Sequence, residues 1–300
     1  MSILVVGSIA FDSIETPRGK AEKALGGSAQ YFSIATSFFN PVSLVGVVGQ
    51  DFPQEHLSYL SSRKVCLKGL QILDGQTFHW AGRYDDSYSD PQTLSTHLNV
   101  FENFSPQLPE SYKSLPYVFL GNIDPLLQSH VLDQMQQPRI VACDTMNFWI
   151  GRKKKELLNT LSRVDIFFIN ETEAKELSAE KNLVQAARKI RRMGPRILVV
   201  KRGEYGSLMF TESSVFACPA YPLSDVVDPT GAGDSFAGGF MGYLAKKGAS
   251  FEEDHLRRAV VYGNTMASFA IEDYSFNRLK SIDEALIEAR FKEFSSLTGF

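Results

Sequence analysis

The chain has 300 residues, 44% hydrophobic and 22% charged, a balance that excludes a disordered, collagen-like or repeat-built protein and leaves open one domain or two. Thirty-one basic and 34 acidic residues give a formal charge of −3, which argues against a general nucleic-acid binder because such proteins carry a basic excess. No stretch reaches membrane-spanning length, and the apolar run at residues 3–6 is too short for a signal peptide.

That opening run, Ile3-Leu4-Val5-Val6, reads as a buried parallel strand ended by Gly7. Gly26-Gly27-Ser28 precedes a predicted helix at 29–39, stopped by Pro41. A second apolar strand at 42–48 ends in Gly49-Gln50-Asp51, and a helix follows at 54–63. Residues 72–101 read differently. They are rich in Thr, Tyr, Phe, Trp and His with polar alternation, enclose an acidic loop at 84–91, and predict two half-exposed antiparallel strands.

Strands at 117–120, 139–143, 165–169 and 196–200 then alternate with helices at 126–135, 153–162 and 182–193. Short strands at 207–210 and 215–217 precede helices at 234–246, 256–271 and 282–294. The alternation predicts an α/β fold with a mainly parallel central sheet and helices on both faces. No Pro/Gly/Ser-rich linker interrupts residues 1–300, so the β-rich stretch reads as an excursion from one domain. Cys66, Cys143 and Cys218 include no C-x-x-C and fit a reducing cytoplasm.

Ligands of open parallel sheets bind beyond the carboxyl ends of the strands. Those ends carry Gly7, Asp12, Asp51, Asn122, Asp144, Asn170 and Lys201. The most informative segment is Asp228-Pro229-Thr230-Gly231-Ala232-Gly233-Asp234-Ser235-Phe236. Small residues before an apolar helix leave backbone N–H groups free to crowd against an anion. A carboxylate there would repel that anion, unless Asp234 is the base for an attacking hydroxyl while the turn stabilises a transferring phosphoryl group. The alternative is a helix cap behind a tight glycine turn. Asn170 and Glu173 have the spacing of a capping box, which is compatible with a further role. Neither G-x-x-x-x-G-K-[ST] nor a G-x-G-x-x-G after the first strand is present.

This segment closely resembles the C-terminal signature of the PfkB (ribokinase-like) family of carbohydrate and nucleoside kinases. The resemblance runs along nearly the whole chain. It takes in Gly7 to Asp12, Gly26-Gly27, Gly46-Val47-Val48-Gly49-Gln50-Asp51, Asn170-Glu171-Thr172-Glu173, Gly203-Glu204-Tyr205-Gly206 and Gly263-Asn264. It implies transfer of the γ-phosphoryl group of ATP to a primary hydroxyl, with Asp234 as general base and Gly231, Ala232 and Gly233 as the anion hole. It also implies that Asn170 and Glu173 hold Mg²⁺ and phosphate through water, as suits an ion that keeps its waters. Thr230, Gly203, Gly206 and Asn264 would line the nucleotide site. Asp12, Gly26 and Gly27 would hold the acceptor, and Asp228 would adjoin a K⁺ site. A small β lid, built from about 12–25 and 78–101, would close over the acceptor and exclude water.

Two departures bear on specificity. Lys201-Arg202 replaces the usual Thr/Ser-rich approach to the G-x-x-G turn, placing there a cation that either meets ATP phosphates or is simply solvated. Tyr31 stands where many sugar kinases of the family carry an Asn. Phe78, Trp80 and Asn147 would be further acceptor contacts, the alternative being that the aromatics form the lid's own hydrophobic underside or a lid-to-lid dimer contact. The overall run is similar to the family's bacterial nucleoside kinases. These features favour a nucleoside over a free sugar as the acceptor, in a monomer or a homodimer formed through the lid. A catalytically inactive nucleotide-binding sensor on the same fold is the alternative.

Overall fold

A computed structural model of the chain describes residues 2–88, 91–248 and 251–298. Strand β1 (Ile3–Val6) is followed by β2 (Ala10–Thr16) and β3 (Gly19–Gly26), then helix α1 (Ser28–Thr36), β4 (Val42–Gly49), α2 (Gln54–Ser62) and β5 (Val65–Leu73). Next come β6 (Phe78–Arg83), β7 (Gln92–His97), α3 (Glu110–Lys113), β8 (Tyr117–Leu120), α4 (Pro125–Gln134) and β9 (Ile140–Cys143). The middle of the chain carries α5 (Asn147–Arg152), α6 (Lys154–Leu161), β10 (Ile166–Asn170), α7 (Glu171–Ser178), α8 (Leu183–Arg191) and β11 (Ile197–Lys201). Strands β12 (Ser207–Phe210) and β13 (Val215–Cys218) precede α9 (Ala232–Lys246), α10 (Glu253–Ala270), α11 (Asn277–Ser281) and α12 (Glu284–Thr298).

Among the described residues, nine strands form the main sheet in the order β13-β12-β11-β10-β9-β8-β1-β4-β5. Neighbours from β11 to β5 pair in parallel, whereas β12 and β13 close the far edge by antiparallel hairpins. The pleat sends successive residues to opposite faces. Ile3 and Val5 accordingly pack with Phe32 of α1, Phe240 of α9 and Met266 of α10. Leu4 and Val6 pack into the other core, with Leu132 of α4, Leu157 of α6 and Ile190 of α8. Burial on both faces is why β1, β8 and β9 are continuous apolar runs and β4 is one interrupted only by the buried Ser43.

A second sheet has four strands in the order β3-β2-β6-β7. The predicted antiparallel pair within 72–101 is β6 with β7, and β6 joins the early segment by parallel pairing with β2. The boundaries differ from expectation. Residues 72 and 73 belong to β5 of the main sheet, and residues 99–103 form a 3-10 turn whose Phe101 packs on the core. Positions 89 and 90 of the expected acidic loop lie outside the described residues.

The sequence pattern also missed β5, α5 and α7. β5 sits at the edge of the sheet, and Lys68, Gly69 and Gln71 break its apolar run. α5 and α7 have six and eight residues, too few turns for a helical period to stand out. The three cysteines are unpaired. Among the described residues no helix is long and apolar enough to cross a membrane.

Candidate active site

Glycines let three strand ends and two helix starts converge. A Cβ on Gly7 would lie 2.6 Å from the Ser28 hydroxyl, and one on Gly121 would lie 2.9 Å from it. The ends of β1 and β8 thereby meet the first residue of α1. Gly27 caps α1 with φ +98°, and a Cβ there would stand 2.6 Å from the Ser8 carbonyl oxygen. Asp12, on β2, lays its carboxylate on the bare backbone of Gly26, where a Cβ would come within 1.8 Å of Oδ2. Desolvation, then the charge of Asp228, pushes the Asp12 pKa up to about 7, against the Gly27 N–H that bonds the ionised form.

The start of α9 faces this group. Gly231 is its N-cap, in the left-handed region at φ +74°, with the ring of Tyr31 only 2.3 Å from where a Cβ would stand. Of the expected donors, Ala232 turns its N–H back onto the Pro229 carbonyl at 3.2 Å. Among the described residues no backbone carbonyl takes the N–H of Gly233 or Asp234, so these two N–H groups stay available to an anion. Asp234 follows immediately. Desolvation and the nearby Asp144 raise its pKa to about 7, partly opposed by Lys201.

The cation comes from β11. Lys201 Nζ lies 2.7 Å from Asp144 Oδ2 and 2.8 Å from the position a Gly233 Cβ would take. Burial works against its charge, but Asp144, Glu173 and Asp234 together hold its pKa above the usual lysine value. Between these strands, Asn170 and Glu173 form a reciprocal capping box on α7, with N–H to oxygen distances of 2.9 and 2.8 Å. Asp228, almost wholly buried, receives the Thr230 N–H on Oδ1 at 2.9 Å. Its Oδ2 is buried without a hydrogen-bond partner among the described residues. The Thr230 hydroxyl donates to the hydroxyl of Tyr84, just beyond β6, at 3.2 Å.

Tyr31 is not a surface contact. Its ring is buried under Gly231, edge-on to Phe276 at 4.4 Å, and its hydroxyl is buried without a hydrogen-bond partner among the described residues. Helical side chains lean toward the N-terminus, so Tyr31 leans toward the acidic cluster, and burial with Asp228 and Asp12 raises its pKa well above the tyrosine value. The register pairs Ala10 with Phe78 and Asp12 with Trp80, so both aromatics share the sheet face of Asp12. Gly203 and Gly206, at φ +55° and +78°, close a tight turn after β11.

Two expected residues stand apart from the acidic cluster. Asn147 is exposed at the start of α5 and has no hydrogen bond to the cluster among the described residues. Asn264 spends its amide on Ser207 at 2.9 Å and on Val260, between α10 and β12. Two further candidates for the site were not legible as such in the sequence. Asp144 stood out only as a polar residue after an apolar strand, and Tyr84 opened a loop whose acidic composition said nothing of a tyrosine's role.

A family model described as pfkB family carbohydrate kinase matches residues 2–281. The cytidine kinase of Thermococcus kodakarensis is 32% identical over 263 residues, 84% of this chain and 91% of that protein. The structure of the Methanocaldococcus jannaschii nucleoside kinase superposes with a TM-score of 0.77 at 20% identity, over 97% of this chain and 98% of that one. Salmonella enterica aminoimidazole riboside kinase, solved with its riboside and an ATP analog, gives 0.76 at 18% identity, over 97% and 100%. The chain belongs to the pfkB family and is an ATP-dependent kinase that phosphorylates a hydroxyl acceptor.

Proposed function

We propose that this kinase phosphorylates the primary hydroxyl of a nucleoside, with Asp234 as general base. The observation that carries the assignment of the base is its place. Asp234 directly follows the Gly231 turn at the start of α9, beside N–H groups with no carbonyl partner among the described residues. The Asp234 carboxylate takes the hydroxyl proton as the acceptor oxygen attacks the γ-phosphorus. The bond to the β–γ bridging oxygen breaks and ADP leaves. The N–H groups of Gly233 and Asp234 stabilise the equatorial charge of the phosphoryl group.

Asp12 orients acceptor hydroxyls over Gly26, and Gly27 lets the backbone approach. Phe78 and Trp80 present aromatic surface on the same face, as a nucleobase requires. The similarity to the Thermococcus cytidine kinase supports the nucleoside class. Gly203, Gly206, Thr230 and Asn264 border the ATP side. Residues 1–300 form one catalytic domain, with the small sheet as a lid that excludes water.

Asn170 and Glu173 are hard oxygen donors, but one oxygen of each is taken by the capping box. Among the described residues no three His, Cys, Asp or Glu side chains converge on a metal position. This donor set fits Mg²⁺ held through its own waters; when bound, the ion neutralises phosphate charge. The Oδ2 of Asp228, buried without a hydrogen-bond partner among the described residues, fits a monovalent cation such as K⁺.

The test is an acceptor panel of nucleosides and free sugars with ATP and Mg²⁺, scored by product mass, run on the wild type and Asp234→Asn. Nucleoside phosphorylation that falls by about 10³-fold or more in the variant, with ATP still bound, is the expected result. Turnover of free hexoses alone overturns the acceptor class, and full activity in the variant overturns the base.

A further inference from the structure

We propose that Asp144 and Lys201 form a latch that the γ-phosphoryl group of ATP opens, with Lys201 exchanging the carboxylate for phosphate. The inference rests on the kinase reading above and adds a residue pair that discriminates triphosphate from diphosphate.

Parallel pairing brings the two groups together. Lys201 ends β11 and Asp144 follows β9, the two strands that flank β10, so both emerge at one sheet edge. Their side chains are 20% and 5% exposed. Asp144 is held in place, because Oδ1 takes the Thr145 N–H at 2.9 Å while Oδ2 takes the lysine at 2.7 Å. Lys201 is the mobile partner, a compact charge on a flexible four-carbon stem. Its ammonium rests over the bare backbone of Gly233, 2.8 Å from where a Cβ would stand, on the helix start that receives the phosphate. A side chain at 233 would block that place.

The surrounding charges give the exchange its direction. Asp144, Glu173 and Asp234 all act on Lys201. The neighbouring cation, Arg202, is already committed to Glu171. Without nucleotide, Lys201 offsets Asp144. With nucleotide, the same ammonium is offered a phosphate oxygen carrying more charge than a carboxylate oxygen, and the short path over Gly233 is open. Asp144 and the γ-phosphate therefore compete for one cation. A diphosphate, which ends short of this position, does not compete.

The competition has an unusual signature. Removing the lysine weakens ATP binding, whereas removing the charge of its partner tightens it. Calorimetric titration of ATP and of ADP, each with Mg²⁺ and without acceptor, reads both. Lys201→Met is expected to raise the ATP dissociation constant about tenfold and the ADP constant by less than about threefold. Asp144→Asn, which keeps the Oδ1 acceptor for Thr145, is expected to lower the ATP constant at least about threefold. In the double variant the effect of Asp144→Asn should vanish, because there is no ammonium left to compete for. Thermal melting of each variant separates local from global effects. Weaker ATP binding in a folded Asp144→Asn variant, or equal losses for ATP and ADP in Lys201→Met, overturns the latch. Absence of ATP binding by the wild type overturns the kinase reading itself.

Discussion

Asp234 has a pKa raised to about 7 because its surroundings desolvate it and Asp144 lies nearby. The base proposed here must be ionised, so kcat/KM at saturating Mg²⁺ should fall as pH drops through about 7 and level off above it. The stability consequence has the opposite sense. A carboxyl whose folded pKa exceeds its unfolded value binds protons more tightly when folded, so rising pH removes stability between the ordinary carboxylate range and about 7. Asp12, also at about 7, and Asp228, at about 6, add to the same slope. The ligand-free protein should therefore melt at a lower temperature at pH 8 than at pH 5.5 through these groups. Asp234→Asn, which removes one of the three charges, should raise the pH 8 melting temperature by about 2 °C or more. No rise at pH 8, or an equal rise at both pH values, would show that Asp234 is not held in a costly ionised state.

Among the elements, the start of α9 is the most demanding. Gly231 has both a left-handed φ and a neighbouring tyrosine ring where a side chain would go. Gly231→Ala should therefore displace the helix start, with turnover falling about 100-fold or more while the protein remains folded. A crystal structure or kinetics showing an undisturbed turn would refute this. Much of this element was legible in the sequence, because Gly-Ala-Gly-Asp before an apolar run is a local chemical pattern. The capping box of Asn170 and Glu173 was legible for the same reason. The engagement of the Ala232 N–H by Pro229 was not, since it depends on how the turn closes. β5 was likewise hidden, because an edge strand needs no continuous apolar run and the mixture of Lys68, Gly69 and Gln71 carries no clear period.

At the scale of the molecule, one joint ties the small sheet to the large one. Asp51, beyond the end of β4, accepts the N–H and the hydroxyl of Thr77 at 2.8 and 2.7 Å. The Thr77 hydroxyl accepts the Gly49 N–H at 3.0 Å, immediately before β6 begins. Asp51→Ala leaves buried donors on Thr77 without that partner and should cost about 1–3 kcal/mol. The acceptor KM should rise more than the ATP KM, because Asp12, Phe78 and Trp80 ride on the small sheet. Equal changes in the two constants would count against the joint. From its sequence alone, this protein had a determined fold class, its buried parallel strands with most of their following helices, and a Gly-Ala-Gly-Asp helix start, because buried strands, caps and glycine turns are set by neighbours within a few residues. Only the tertiary structure decided that Tyr31 lies buried beneath Gly231, that Phe78 and Trp80 share the face of Asp12, and that Lys201 is held by Asp144. Those pairings join residues far apart in the chain. They follow from sheet order, register and helix packing, which no local pattern encodes.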